Sequence, residues 1–177
     1  MALAAGLLAA CTPKQAHGTE PQETLSEAQQ KIPTINHSGY MTSNQEGMQK
    51  VNDFIKACGT YYIATVDGDH ARVRPFGTIN IYEGKLYIQT GHKKEVAKQM
   101  DANGKVELCC FDGAKWLRLS GNLICDERIE AMKSMLDAYP QLRGIYDEND
   151  GNTAVYYFTE AKARFCSFTE PEEDIEF

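Results

Sequence analysis

Relative to its opposite, cationic charge is scarce in this sequence: 18 Lys and Arg stand against 25 Asp and Glu, a net charge of −7 at pH 7. A surface that follows a phosphate backbone needs the reverse balance, so the composition argues against a general nucleic-acid binder. No apolar run approaches the roughly 20 residues that a membrane-spanning helix requires. GxGxxG is absent, which removes the dinucleotide fingerprint, and no Ser stands in a glycine elbow that would present an acyl-transfer nucleophile. None of the six cysteines falls in a CxxC or Cys/His metal spacing. Of the four histidines, His17 and His37 lie in a polar stretch and read as solvated, while His70 and His92 have no obvious carboxylate to orient them. No residue set announces proton transfer or acyl transfer. Such a chain suits a redox cofactor, which brings its own chemistry and leaves the protein to position it.

What is present begins with a short apolar run, Met1 to Ala10, closed by Leu8-Ala9-Ala10-Cys11. It resembles a bacterial lipoprotein signal, in which cleavage before the cysteine leaves the thiol to be diacylated. No Lys or Arg precedes the run, which departs from that pattern. The resemblance implies lipidation of Cys11 and a membrane-tethered protein, periplasmic or on the outer face; a cytoplasmic protein is the alternative. Residues 12–47 are polar and read as a flexible tether, with a helical turn or two at Thr24–Lys31. The folded domain is expected over 48–169. The acidic end, 170–177, is expected to fray.

Within the domain, Met48, Val51, Phe54, Ile55 and Cys58 recur at helical spacing and Gly59 ends that helix. Thr60–Val66 is β-branched and aromatic, Asp67-Gly68 signals a hairpin, and the return strand runs from His70 to Phe76. Thr78–Tyr82 and Lys85–Thr90 alternate polar and apolar around Glu83-Gly84. A helix follows from Lys94 to Ala102, then strands over Lys105–Asp112 and Lys115–Cys125, the latter interrupted at Gly121 by an expected bulge. Asp126–Tyr139 reads as a helix, Gln141–Tyr146 as a further turn, and Thr153–Phe158 and Ala161–Phe168 as a final pair of strands. Cys58, Cys109, Cys110, Cys125 and Cys166 read as small buried hydrophobes. The class is mainly β with appended helices, an antiparallel sheet that closure into a barrel would relieve of exposed edges.

Arg72 and Arg74 stand two apart before the Thr78–Thr90 hairpin and project from one face. His92, Lys93 and Lys94 stand just beyond it, where a helix begins. The hairpin brings these cations together at a helix N-terminus, which suits a small anionic ligand such as a phosphate.

The run VNDFIKACGTYYIATVDGDHARVRPFGTINIYEGKLYIQTGHKKEVAKQM, followed by KVELCCFDGAKWLRLSG, resembles the pyridoxamine 5'-phosphate oxidase-like FMN-binding split-barrel family over residues 48–169. The resemblance implies a split β-barrel, a homodimer sharing two flavin sites, and FMN as cofactor. It places Arg74 on the FMN phosphate, with Lys93 or Lys94 beside it. Pro75, Phe76, Gly77 and Thr78 would line the isoalloxazine edge, and Gln89 and Thr90 would hydrogen-bond the ring or ribityl chain. Trp116 would reach the other subunit's flavin or, as the lone Trp, simply fill the core; Arg118, on the same strand face, is either a second cation or an ordinary solvent-facing charge. Pyridoxamine 5'-phosphate oxidase itself ends in a block with a Trp and substrate-binding arginines; here the end is acidic, without Arg beyond Arg164. The implied activity is therefore FMN-dependent reduction of a small electron-poor substrate, not vitamin B6 oxidation. A non-catalytic flavin- or haem-binding lipoprotein module, with His70 or His92 as axial ligand, is the alternative.

Overall fold

The computed structural model describes residues 42–177; the expected signal, Cys11 and the expected tether through Met41 lie outside the described residues. The chain runs α1 (Ser43–Cys58), β1 (Tyr61–Asp67), β2 (His70–Phe76), β3 (Asn80–Tyr82), β4 (Lys85–Gly91), α2 (Glu95–Ala102), β5 (Lys105–Phe111), β6 (Lys115–Asp126), α3 (Ile129–Ala138), a 3₁₀ helix (Pro140–Gly144), β7 (Thr153–Ser167) and β8 (Glu173–Glu176). The strands form one antiparallel sheet in the order β2-β1-β5-β6-β7-β4-β3, with β8 added to β7. β2 and β3 are its two ends, yet only Gly77, Thr78 and Ile79 separate them in sequence. That short link draws the ends toward each other and bends the sheet into a barrel. Its apolar filling comes from alternate strand residues such as Ile63, Leu108, Leu117 and Leu119, with Val51 and Ile55 of α1 packed against them.

Three sequence expectations change. The first helix begins at Ser43, not Met48, because Thr42 caps it: Thr42 Oγ1 accepts from the Gln45 N–H at 3.3 Å, and Gln45 Oε1 accepts from the Thr42 N–H at 2.9 Å. This reciprocal pair is a Thr-x-x-Gln capping box. The expected final pair of strands is one continuous strand, β7, which bends where Glu160 takes φ 52°. The β6 register shifts opposite that bend, between Ser120 and Asn122, so the bulge expected at Gly121 is present. The acidic end does not fray over Glu173–Glu176. It pairs with β7 as β8, where Asp174 stands opposite Arg164 and Glu176 opposite Lys162, with contacts of 2.7 and 3.0 Å. Ile175 and Phe177 pack against the core.

The cysteines are not uniformly buried either: Cys110 and Cys166 are, Cys58 and Cys125 are half-buried, and Cys109 is exposed. Cys109 and Cys110 face opposite sides of β5, as adjacent strand residues must.

One buried charge ties the far end of the barrel to α3. Asp126, 7% exposed, accepts from the Tyr87 hydroxyl at 2.8 Å and from Arg128 Nη2 at 2.8 Å, while Arg128 Nη1 reaches Glu83 in the β3–β4 turn at 2.9 Å. The hydrogen bonds from Arg128 outweigh the desolvation of burial and hold the Asp126 carboxyl down at about 2. A depressed carboxyl pKa stabilises the fold above its unfolded value near 3.9, and that contribution drains away as pH falls toward 2. Wild type is therefore expected to lose roughly 2–3 kcal/mol between about pH 5 and 2 through this group. In urea melts Asp126→Asn should already lack most of that stability at pH 7 and show a flatter acid limb. Parallel acid limbs for the two proteins would refute the assignment.

Candidate functional site

Arg74 occupies β2 opposite the fully buried Ile63 of β1, so its side chain starts on the barrel side of the sheet. Its Nη1 donates to Thr65 Oγ1 at 2.7 Å and its Nη2 to Gln99 Oε1 on α2 at 2.6 Å. The carbonyls of Ile63 and Arg72 accept further bonds at 3.3 Å. Every one of these acceptors is neutral. Partial burial first, and the neighbouring Arg72 second, lower the Arg74 pKa, and Asp67, already paired with Arg72, opposes them only in part. Arg72 shares its face but is spent on Asp67, at 3.0 Å.

The chain then crosses from β2 to β3 through Gly77 and Thr78, and this crossing is fastened on two sides. The Tyr61 hydroxyl of β1 donates to the Thr78 carbonyl at 2.7 Å, and Thr78 Oγ1 accepts from the Gln89 N–H of β4 at 3.2 Å. Tyr139 at the end of α3 adds a bracket on Ile79, accepting from its N–H at 3.0 Å and donating to its carbonyl at 2.9 Å. Tyr61 is fully buried, and desolvation raises its pKa well above the usual phenol value, so it stays a donor.

These elements border a half-open cavity of about 290 Å³. Its walls include Arg74, Pro75, Phe76, Gly77 and Thr78 on one side and Gln89, Thr90 and Lys94 on another. Gln89 and Thr90 are 6% and 3% exposed, and Gln89 Nε2, Gln89 Oε1 and Thr90 Oγ1 have no hydrogen-bond partner among the described residues. Orphaned polar atoms at such burial are costly unless a ligand or solvent meets them. Lys94 is the N-cap residue of α2, whose start no side chain caps, and its Nζ lies 5.6 Å from the Tyr146 ring centroid. Arg74 and Lys94 form no salt bridge among the described residues. A pocket lined by two cations that form no salt bridge and by the unpartnered side chains of Gln89 and Thr90 suits an anionic, polar ligand.

Eight of the residues anticipated from sequence meet in this cavity; three do not. Lys93 is not in its lining, although its N–H is held by Asn152 Oδ1 at 3.1 Å. Trp116 packs on Phe168, ring centroids 5.1 Å apart. Arg118 lies in a separate hollow of about 300 Å³ and pairs with Glu107 at 2.7 Å. The cations of that hollow are already matched, Arg164 by Asp174 and Lys162 by Glu176. Sequence reasoning missed the remaining wall, Val96 of α2, Leu142 in the 3₁₀ helix and Ile145 and Tyr146 just beyond it, and it missed the fastening tyrosines Tyr61 and Tyr139. A Tyr starting a strand and a Tyr closing a helix look like ordinary core residues.

A family model described as pyridoxamine 5'-phosphate oxidase matches residues 48–135. Among solved structures, a NimC/NimA family protein from Clostridium acetobutylicum is 41% identical with a TM-score of 0.74, covering 76% of this chain and 94% of that one. A pyridoxamine 5'-phosphate oxidase-related, FMN-binding protein from Nostoc punctiforme is 14% identical with a TM-score of 0.54, over 73% of this chain and 86% of that one. A haem-binding protein from Mycobacterium smegmatis is 11% identical with a TM-score of 0.58, over 77% of this chain and 59% of that one. At these last two identities the likeness is one of fold alone. No protein of curated function matches the sequence significantly.

The fastening of Thr78 is measurable. Tyr61→Phe keeps the ring but leaves the Thr78 carbonyl without its donor, at an expected cost of about 1–3 kcal/mol in urea unfolding. A change below about 0.5 kcal/mol, the usual scatter of surface substitutions, would show that the crossing holds without it.

Proposed function

Because the chain belongs to the pyridoxamine 5'-phosphate oxidase-like split-barrel family, we propose that it binds FMN in the Arg74–Lys94 cavity and reduces a small electron-poor substrate. The observation that carries this reading is the buried, unpartnered amide of Gln89 and hydroxyl of Thr90 in a cavity whose cations have no counter-ion. A flavin ring presents an edge of carbonyl and N–H groups, and the Gln89 amide, both donor and acceptor, can answer either kind. Arg74 would hold the phosphate through its planar guanidinium, with Lys94 and the uncapped start of α2 adding positive potential. When bound, FMN supplies the hydride and electron transfer. Phe76, Val96 and Leu142 supply apolar wall, and where they keep water away each polar contact inside is strengthened. Neither His70 nor His92, the axial ligands the haem alternative names, lines the cavity.

A charge-assisted hydrogen bond contributes about 1.5–3 kcal/mol, so Arg74→Ala should weaken FMN binding roughly 10- to 100-fold in a fluorescence titration. Lys94→Ala should cost less, since a mobile ammonium holds one oxygen where the guanidinium fork holds two. Riboflavin should bind wild type poorly and be nearly indifferent to Arg74→Ala. Equal affinity of wild type for FMN and riboflavin would sink the phosphate assignment. A Soret band on the purified protein would replace flavin by haem.

We further propose a homodimer through the outer face of β2, β1, β5 and β6. Residues directly opposite in antiparallel strands share a face, which places Tyr62, Val73 and Phe111, exposed by 54%, 63% and 55%, on one side. Trp116, opposite Phe111 in the β5–β6 register, lies on that side too, as a residue reaching a second subunit's flavin must. Sedimentation should give a dimer for wild type and a weakened dimer or monomer for Val73→Asp. A monomeric wild type would overturn this assembly.

A further inference from the structure

Sequence spacing offers no metal motif, but the sheet brings three separated ligand types together. β7 lies between β4 and β6, with Gly91 opposite Thr153 on one side and Asp126 opposite Val155 on the other. The chain leaving β4 at His92 and the chain leaving β6 at Glu127 therefore converge over the start of β7. His92 Nε2 is 3.8 Å from Glu127 Oε2, Cys125 Sγ is 3.3 Å from Glu127 Oε1, and one donor atom from each of the three residues lies within 4.8 Å of the others. Bond lengths of about 2.3 Å to sulfur and about 2.0–2.1 Å to nitrogen and oxygen put the ligand atoms of a tetrahedral zinc centre about 3.3–3.6 Å apart. The three donors need only small side-chain adjustments to reach that spacing.

We propose that His92 Nε2, Cys125 Sγ and the Glu127 carboxylate form a three-ligand site for a zinc-class divalent metal, with its fourth position open to water. Imidazole, thiolate and carboxylate together suit zinc; magnesium and calcium demand oxygen ligands throughout. His92 and Cys125 are half-buried and hold their donors at the ends of strands, while Glu127 is exposed and leaves one side of the site to solvent. Binding replaces the Cys125 S–H by a metal–thiolate bond and releases that proton to solvent. The metal would tie the β4–α2 turn, which carries Lys94, to the segment joining β6 and α3. The site stands on its own geometry and does not depend on the flavin reading.

The test is titration of the full-length, reduced, metal-free protein with Co²⁺. Expected is one Co²⁺ per chain bound stoichiometrically, with a thiolate-to-cobalt charge-transfer band, the visible bands of tetrahedral cobalt, and displacement by Zn²⁺. Cys125→Ser should abolish the charge-transfer band, and Glu127→Gln and His92→Ala should each weaken Co²⁺ binding roughly 10- to 100-fold or more, at least the loss seen on removing an outer-shell partner. Cys166→Ser should leave the spectrum unchanged. Glu127 is exposed, so Glu127→Gln keeps the test meaningful even if Cys125→Ser disturbs packing. Absence of saturable Co²⁺ binding, a charge-transfer band that survives in Cys125→Ser, or Glu127→Gln binding Co²⁺ as wild type does, would overturn the site.

Discussion

The crossing at Thr78 is the constraint on which the rest of the molecule depends. β2 and β3 are opposite ends of the strand order, and a three-residue link between them cannot exist unless the sheet curls until its ends meet. Hydrogen bonds at Thr78 to Tyr61 of β1 and to Gln89 of β4 fasten one strand near each end to the same residue. Closure and pocket are thus one event. The backbone that seals the barrel is also the backbone that lines the cavity, and the edge strands that would otherwise template aggregation are brought toward each other.

Charge is distributed to match. This is an acidic chain, and most of its arginines are committed to carboxylates: Arg72 to Asp67, Arg118 to Glu107, Arg128 to Asp126 and Glu83, Arg143 to Asp137 and Glu148, Arg164 to Asp174. Arg74 is held instead by a hydroxyl, an amide oxygen and two carbonyls. Those partners fix its direction without discharging it. Exposed ion pairs contribute little each, but by occupying the other arginines they leave Arg74 as the arginine whose charge is open to an anion.

Much of this was legible in the sequence, for identifiable reasons. The β1–β2 and β3–β4 hairpins carry their turn glycines in plain view, and Gly68 and Gly84 do take positive φ, 64° and 71°. The Arg74–Thr78 and Gln89–Lys94 segments flank one hairpin, so their convergence follows from local geometry. What was not legible depends on pairing at a distance. β8 looks like a frayed acidic tail until Arg164 and Lys162 are known to stand opposite Asp174 and Glu176. The 15-residue β7 looks like two strands because its bend at Glu160 interrupts the alternation. The bare face of Gly91 is filled by the side chain of Asn152, distant in sequence, 3.0 Å from where a Cβ would sit.

The wall of the cavity formed by Leu142, Ile145 and Tyr146 differs in kind from the other walls. No residue of the 3₁₀ helix Pro140–Gly144 is buried, Ile145 is 72% exposed, and the segment belongs to no strand pairing. Arg74, bonded to Thr65 and Gln99, and the Thr78 crossing, bonded to β1 and β4, by contrast, cannot change without disturbing the barrel. Selection acting on this molecule therefore meets two rates of change within one pocket. Arg74 and the sealed crossing are anchored by folding itself, whereas the exposed panel can be rewritten, and the shape of the cavity with it, while the barrel is inherited intact.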